Sequence, residues 1–344
     1  MNFKLNSKII ITLFAVFLFG VNGFAQVGLN KLAQSTMNFQ LVSLSPRASG
    51  MGDAYYAVGT GAESIFYNPA GLTESDKTFN IVIEYTQWIA DINYLAGAAS
   101  WNLGNYGTVG VSLLSVNYGT INGTSLDPNT GSALGYIDNG TLNNVNAYSF
   151  GLSYAKAISN QFSIGGNIRI AGQNLGSNNF YNSTSGGYNG SINNNATALV
   201  FDAGVKYYTG YKSFRFGMAI RNFSSDIKRE AIYEQLPLTF TLGTAIDLMD
   251  FINPNHSSKD ALTLAVDFLH PNNYSERFNI GMEYKLFGML ALRAGYQTNQ
   301  DIQSWSAGVG FNSSVAGKDV DVNYSFSKID IFNNVNRLSV GFAF

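Results

Sequence analysis

The chain ends on residues 336–344, NRLSVGFAF, in which apolar side chains alternate with polar or small ones. Alternation with a period of two places the apolar side chains on one face of a β-strand and the remainder on the other. About ten such residues make one strand of a transmembrane β-barrel, whose outer face meets lipid. This stretch therefore predicts an outer-membrane barrel, and it makes Phe342 and Phe344 the candidate assembly signal for the barrel-assembly machinery.

The same alternation recurs in about fourteen segments after residue 77, each bounded by Gly, Asn, Asp, Ser or Pro. Ser163–Gln173, Arg277–Leu286 and Val320–Ser327 are the clearest, and in each the charged residues share the small, polar face. A soluble sheet alternates as well, but charged residues are only 12% of the chain, about half of the usual share. We predict an all-β, antiparallel transmembrane barrel. Its expected lumen-facing charges are Glu84, Arg169, Asp202, Lys206, Arg215, Arg221, Asp267, Glu283, Arg293 and Asp321.

The connections between the predicted strands alternate in length. Gly119–Asn144, Leu175–Asn195 and Asp226–Gln235 are long, whereas the intervening turns near residues 159–160, 210 and 288 are tight. Outer-membrane barrels have short periplasmic turns and longer external loops, so both ends of the barrel domain are expected on the periplasmic side. Met249–Lys259 is longer than this pattern predicts for a periplasmic turn.

The amino-terminal part divides into two segments. Met1–Ala25 has two lysines, then an apolar run, then small residues, which is typical of a secretory signal peptide. A barrel of about fourteen strands encloses more space than wall side chains fill. Residues 26–77, rich in Gly, Ala and Ser, precede the first strand. We therefore expect residues 26–77 to form a plug, here called the hatch, and residues 78–344 to form the barrel.

Residues suited to catalysis are scarce. The chain has no cysteine, and its two histidines, His256 and His270, lie in connections without a recognisable catalytic motif. Asp127–Asp138 lacks the glycine and the final glutamate of an EF-hand calcium loop. With a net charge of −2 and no basic block, a nucleic-acid partner is not expected. We predict no enzyme, cofactor or metal. The large aromatic residues are expected at the membrane interfaces: Tyr85, Trp88, Tyr118, Tyr207, Tyr284, Tyr296, Trp305 and Tyr324.

Two short motifs in the hatch resemble those of a known family. RASGMGDA at residues 47–54 is followed by NPAGL at residues 68–72. This pattern is similar to the PorV/PorQ family, a branch of the FadL-like outer-membrane proteins. The resemblance covers residues 45–72 in detail and the rest of the chain in layout. It implies a 14-stranded barrel with an amino-terminal hatch, and its motif residues are Arg47, Gly50, Gly52, Asp53, Asn68, Pro69, Ala70 and Gly71.

The hatch residues also have local physical roles. Pro69 disfavours the helical conformation at Asn68, and the Asn68 side chain is suited to an Asx turn. Such a turn either gates the barrel or merely folds the chain back to close it. Arg47, buried in a barrel interior, needs an acidic partner, so we expect it to pair with a carboxylate of the wall.

The resemblance implies a function in protein secretion. Members of the PorV branch serve the type IX secretion system, so the expected partners are outer-membrane lipid, secretion components and secreted cargo. The FadL branch implies an alternative, a channel that takes up small hydrophobic compounds such as fatty acids. A closed structural barrel is a third possibility. A hydrophobic channel needs an apolar pocket and usually a gap in the wall, so a gap beside Asn68–Ala70 would distinguish it from the other functions.

Overall fold

The computed structural model describes residues 35–127, 135–142, 145–182, 187–229, 232–253, 257, 259–300, 303–315 and 317–344. The predicted signal peptide, hatch residues 26–34, His256 and residues 128–134 of the calcium-loop candidate lie outside this set. In the part of the chain so described, no helix is both long and apolar enough to cross a membrane.

Fourteen antiparallel strands form a closed barrel, which confirms the predicted fold class. In chain order the barrel strands are β1 (Phe79–Gln87), β2 (Asn93–Asn102), β3 (Thr108–Asn117), β6 (Asn146–Ala157), β7 (Phe162–Asn182), β8 (Gly187–Tyr208), β9 (Arg215–Phe223), β12 (Thr239–Asp247), β13 (Ala261–Pro271), β14 (Arg277–Leu286), β15 (Leu290–Gln297), β16 (Gln303–Val315), β17 (Lys318–Ile329) and β18 (Val335–Ala343). Two separate hairpins pair β4 (Asn122–Leu126) with β5 (Tyr136–Thr141), and β10 (Ile227–Arg229) with β11 (Ile232–Glu234).

The last strand closes the barrel on the first. β18 pairs with β1 in an unbroken register from Asn80↔Ala343 to Gln87↔Asn336. Phe79 and Phe344 exchange backbone hydrogen bonds of 2.8 and 2.9 Å, and their rings lie 5.4 Å apart. Leu338 and Phe342 are exposed on the outer face, whereas Arg337 and Ser339 are buried inside. The terminal alternation therefore has the orientation that lipid outside and polar contacts inside require.

The two ends of the barrel differ. The β4–β5 and β10–β11 hairpins and the extension of β7 and β8 lie at one end, here called the loop end. The chain enters and leaves the barrel at the other, the turn end. The long turn-end connection contains a short helix, α2 (Met249–Ile252). Ser213 donates backbone and side-chain hydrogen bonds of 3.0 and 2.6 Å to the Asp250 carboxylate. The extra length thus lets this connection pack on the neighbouring turn.

Inside the barrel, the described part of the hatch forms no strand pair. It contains one α-helical turn, α1 (Pro46–Gly50), and 3-10 helices at Asn38–Leu41, Ala62–Phe66 and Pro69–Glu74. Short 3-10 turns also occur in two barrel connections, at Ile89–Asp91 and Gly104–Tyr106. Ser45 caps α1 by accepting a 3.0 Å hydrogen bond from the Ala48 amide. This is the contribution expected of a serine before a first-turn proline.

Glycines on the inner face of the wall allow the hatch backbone to pack directly against the strands. A Cβ atom built on Gly295 would lie 1.9 Å from the Gly52 nitrogen, and one on Gly281 would lie 2.2 Å from the Met51 oxygen. Contacts with hatch backbone or side-chain atoms of the same closeness occur at Gly165, Gly204 and Gly217. Gly50 approaches Gly308 in the same way, with 3.1 Å between the built Cβ and the Gly308 Cα. The hatch therefore touches the wall directly where side chains are missing.

We predict that Gly295→Ala lowers the free energy of unfolding by about 1–3 kcal/mol, because the added methyl overpacks the hatch contact. Gly97→Ala is the matched control, since its Cβ would have no neighbour nearer than 3.7 Å. Urea unfolding of the detergent-solubilised barrel measures the difference, and limited proteolysis reports whether the hatch loosens. Equal stability and equal protease resistance of the two variants would contradict a close contact between the hatch and Gly295.

Candidate functional site

A cavity of about 960 Å³ opens at the loop end, above the hatch. Hatch residues 35–39 and 41–43 form part of its lining, together with the loop-end parts of the wall. Its apolar and aromatic lining residues are Met37, Phe39, Leu41, Val42, Trp88, Ile89, Tyr94, Tyr118, Leu175 and Tyr274. Polar lining residues include Asp53, Gln173, Gln297 and Arg337. This loop-end cavity has the size and the mixed lining of a small-molecule site.

Two aromatic residues in this cavity differ from the sequence expectation. Trp88 and Tyr118 were expected at the membrane interface, but both line the loop-end cavity. Trp88 lies under the Arg337 guanidinium, 5.5 Å from carbon to ring centroid, and the Tyr118 hydroxyl accepts a 2.8 Å hydrogen bond from Gln173. Both residues follow the last residue of a strand, where alternation no longer determines the direction of a side chain. The other predicted girdle tyrosines and Trp305 are exposed on the outside.

Beneath the cavity the hatch is filled by packed tyrosines. Tyr67 packs edge-on against Tyr55 and Tyr56, with ring centroids 5.1 and 6.1 Å apart. All three are buried, and burial raises the pKa of the Tyr67 hydroxyl well above its usual value. The Tyr55 hydroxyl donates a 2.7 Å hydrogen bond to Glu63. These rings therefore form part of the hatch core.

The expected partner of Arg47 is Glu283 on β14. Arg47 Nε and Nη2 donate to the two Glu283 oxygens at 2.9 and 2.8 Å. Arg293 donates to the same carboxylate at 2.7 Å and to Asn323 at 2.8 Å. Lys285 Nζ lies 3.6 Å from it. The ion pair confirms that Arg47 binds a wall carboxylate, and it ties α1 to β14 and β15.

The Asn68–Pro69–Ala70 turn is held between hatch and wall. Asn68 has an extended backbone, with φ −131° and ψ 102°, and its side-chain oxygen accepts a 3.1 Å hydrogen bond from the Ala70 amide. Its Nδ2 donates to the Tyr56 and Val205 carbonyls, each at 3.0 Å. Gly71 packs against the Gly59 carbonyl, where a Cβ atom would come within 2.3 Å. The Asx turn and the effect of Pro69 are both confirmed.

The wall beside this turn is continuous. Gly165 and Gly204, which face Pro69 and Asn68, are directly paired across β7 and β8. The β6–β7 register is unbroken from Asn146↔Asn174 to Ala157↔Ser163. A bulge interrupts the β8–β9 register at Asp202, where Asn222 takes a positive φ of 62°. Asp202 accepts a 2.8 Å hydrogen bond from the Asn222 amide there. The described strands beside this turn therefore leave no gap of the kind that a hydrophobic channel usually has.

Six more of the predicted lumen charges form hydrogen bonds inside the barrel. Arg169 donates hydrogen bonds of 2.7 and 2.8 Å to the Asp202 carboxylate, and one of 2.8 Å to the Gln40 side chain of the hatch. Lys206 donates to Glu74 at 2.6 Å and to the Gly59 carbonyl at 3.0 Å. Asp267 accepts hydrogen bonds from the Tyr55 and Tyr56 amides, Arg215 donates to the Ala57 carbonyl, and Arg221 donates to the Tyr56 hydroxyl. Together these bonds connect the hatch to β7, β8, β9 and β13 of the wall.

Two further motif residues, Gly52 and Asp53, lie where the hatch meets β15 and the loop-end cavity. Asp53 accepts hydrogen bonds from Ser43 and, at 2.6 Å, from Gln297 on β15. Gly52 and Asp53 both have left-handed backbones, with φ values of 61° and 59°. Only glycine adopts this conformation without a steric cost, and aspartate tolerates it better than most residues. The RASGMGDA motif therefore supplies a helical turn, a tight reversal and the contact with β15.

Sequence reasoning missed Arg337 as an interior charge. Its side chain is 1% exposed, and it donates 2.9 Å bonds to the Ser43 carbonyl and the Ser327 hydroxyl. The alternation of the last strand already placed Arg337 on the polar face with Ser339, so the signal was present. Glu74 was missed because no strand periodicity reaches it.

A second cavity of about 300 Å³ opens at the turn end. It is lined mainly by polar and charged residues, including Arg47, Glu63, Lys77, Arg293 and Asp321. Within the described ranges, no group of three or more His, Cys, Asp or Glu side chains is arranged to hold a metal ion. The hatch therefore separates an amphipathic loop-end cavity from this polar turn-end cavity.

No protein-family model and no curated protein sequence matches the chain. Solved structures of similar fold include the toluene transporter TodX of Pseudomonas putida, with a TM-score of 0.56 and 12% identity over 86% of this chain and 96% of that one. The toluene transporter TbuX of Ralstonia pickettii has a TM-score of 0.55 and 15% identity, covering 89% of this chain and 98% of that one. A Pseudomonas aeruginosa FadL homologue has a TM-score of 0.52 and 13% identity, covering 88% and 98%. At these identities the likeness establishes a FadL-like fold.

We predict that Glu283→Gln destabilises the protein by about 3–5 kcal/mol, because it leaves Arg47 and Arg293 as buried cations without their partner. The matched control is Lys77→Met. That residue's 3.1 Å pair with Asp319 is solvent-accessible, with side chains 29% and 45% exposed, so its loss costs less than about 1 kcal/mol. Chemical unfolding of both variants measures the difference. A Glu283→Gln loss as small as that of the control would show that the network contributes little.

Proposed function

We propose that this chain is an outer-membrane channel for small hydrophobic compounds, which bind first in the loop-end cavity. The observation that carries the proposal is the 960 Å³ cavity with apolar and aromatic residues on its floor and walls. Burial of apolar ligand surface there contributes about 25 cal/mol per Å². The FadL-like fold, shared with proteins described as toluene transporters, supports the same function.

Passage beyond the cavity requires the hatch to move. The wall pairing is continuous beside the Asn68 turn, and the space below the cavity is filled by tyrosines and by the Arg47–Glu283 pair. A ligand therefore passes from the cavity toward the turn end only after some of these contacts break. The predicted lumen charges hold the closed arrangement, and they do not form an apolar conduit.

We predict that Ile89→Asp, at the cavity lining, reduces uptake and binding of hydrophobic compounds about tenfold, equivalent to about 1.4 kcal/mol. The new carboxylate faces the apolar ligand and must lose its hydration when the ligand binds. Uptake of radiolabelled toluene and of a fatty acid by a deletion strain that carries each variant measures the effect. Ile331→Asp is the matched control, because Ile331 is 75% exposed at the same end but does not line the cavity.

A second candidate function is service to the type IX secretion system, as a PorV/PorQ-like accessory. Its support is the RASGMGDA and NPAGL motifs together with exposed apolar side chains at the loop end. Ile331 and Phe332 lie between β17 and β18, and Ile232 and Tyr233 lie on the β10–β11 hairpin. Apolar side chains exposed beyond the membrane are suited to a protein partner, such as a secretion component or its cargo.

The same two variants separate the two functions. If the chain serves secretion, we expect Ile331→Asp to reduce surface attachment of secreted cargo, because it places a charge in the apolar contact, while uptake stays normal. Ile89→Asp would then leave cargo attachment unchanged. Cell-surface labelling of cargo in the complemented deletion strain provides the measurement. Normal attachment in the deletion strain itself would exclude the secretion role, and normal uptake there would exclude the channel role.

A further inference from the structure

A groove of about 410 Å³ lies on the outer face of the barrel, across β7, β8, β9 and β12 near the turn end. Tyr207 and Met218 in it are 42% and 41% exposed, whereas Lys206, the neighbour of Tyr207 on β8, is buried inside. The groove shares no described lining residue with the loop-end or the turn-end cavity. This outer groove is lined by Phe162, Val205, Tyr207, Phe216, Met218 and Leu242.

The strand register arranges the lining of the outer groove in two rows. Phe162 pairs with Tyr207, and Tyr207 pairs with Phe216, which gives the row nearest the turn end. The other three lining residues form the next row in the same way, two residues farther from the turn end. In the row beyond these, Gly166 and Ala203 pair across β7 and β8. Their small side chains let the groove continue toward the middle of the wall.

A lysine faces outward beside the outer groove. Lys156 on β6 pairs with Ile164 on β7, and Ile164 pairs with Val205 on β8. The lysine is therefore level with the second row of the groove. Phe162 is its diagonal neighbour across β6 and β7, at a distance of about 7–8 Å that long side chains span. The Lys156 ammonium can thus reach the edge of the groove.

The charge of Lys156 is not balanced by the protein. Its side chain is exposed, and it forms no ion pair with another described residue. The other charged side chains on the described parts of β6, β7, β8 and β9 face the interior and bond groups there. In an outer-membrane barrel an outward charge is tolerated near the interface, where lysine extends its ammonium toward lipid headgroups. A lipid phosphate is the anion available to Lys156 in that position.

The size of the outer groove favours a lipid over a protein partner. A specific protein interface uses roughly 20–30 residues of each partner, whereas this groove has six described lining residues. Its volume of about 410 Å³ lies within the range of small-molecule sites. An apolar groove with one cation at its edge is complementary to an acyl chain that ends in an anionic headgroup.

We propose that the outer groove binds an acyl chain of an anionic glycerophospholipid whose phosphate contacts Lys156. The groove lies at the turn end, which is expected on the periplasmic side, so the lipid belongs to the periplasmic leaflet. The site shares with the proposed channel function only the placement of the barrel in the outer membrane. It needs neither the loop-end cavity nor a movement of the hatch.

Native mass spectrometry of the purified full-length barrel in detergent, titrated with phosphatidylglycerol, tests the role of the lysine. Lys156→Gln is expected to weaken binding of this lipid about fivefold, because it removes one basic group beside the phosphate. Lys328→Gln is the matched control, since Lys328 lies near the loop end of β17. Diacylglycerol, which has no phosphate, is expected to bind equally to all three proteins. Equal affinity of the wild type and Lys156→Gln for phosphatidylglycerol would overturn the proposal.

A pair of size variants tests the location of the site without changing charge. Met218→Trp fills the outer groove and is expected to weaken phosphatidylglycerol binding about tenfold, equivalent to about 1.4 kcal/mol. Met282→Trp on β14 is the matched control, because Met282 is 40% exposed and does not line the groove. Comparison of heated and unheated samples by gel electrophoresis verifies that each variant is a folded barrel. If Met218→Trp fails this check, Val205→Phe replaces it.

Two results would overturn the outer groove as a lipid site. One is unchanged phosphatidylglycerol binding in the folded groove variant. The other is a dimer of the wild type that the groove variant dissociates, since the groove would then be covered by a second copy of the chain. The Ile89→Asp uptake assay does not depend on either result, so failure of the lipid site is distinguishable from failure of the proposed channel function.

Discussion

The structure depends on one constraint, that a closed barrel of this size cannot be filled by its own wall. Fourteen strands enclose a lumen wider than inward side chains can span, so a second segment must occupy it. That segment brings backbone amides and carbonyls, which must be hydrogen-bonded wherever they are buried. The hatch satisfies both requirements: short helical turns bond part of its backbone, and polar side chains of the wall bond much of the remainder.

The wall meets this requirement in two ways. Where it carries glycine, as at Gly281 and Gly295, the hatch backbone packs directly against the strands. Where it carries charge, as at Asp267 and Lys206, the side chains reach inward and bond hatch amides and carbonyls. The inner face of the barrel is therefore complementary to one particular conformation of residues 35–77. Any function that requires passage must weaken this complementarity at some point.

Much of this could be predicted because strand alternation is local. The charges expected in the lumen do face inward, and Arg47 was expected to find a wall carboxylate. Its identity as Glu283 depends on the placement of α1 against β14, which no local pattern contains. The positions of Trp88 and Tyr118 were predicted wrongly because both follow a strand end, where periodicity stops. Their place in the loop-end cavity results from the way the connections fold over the hatch.

The sequence by itself determined the closed antiparallel barrel, its polar interior, the hatch and the conformation of the Asn68 turn. These follow from period-two alternation and from the backbone restrictions of proline and glycine, which act between neighbouring residues. Only the tertiary structure decided which partners the charges bind, where the wall stays continuous, and that Glu84 and Arg337 form no ion pair with another described residue. Such contacts join residues far apart in the chain, and closure of the last strand on the first sets the register that brings them together.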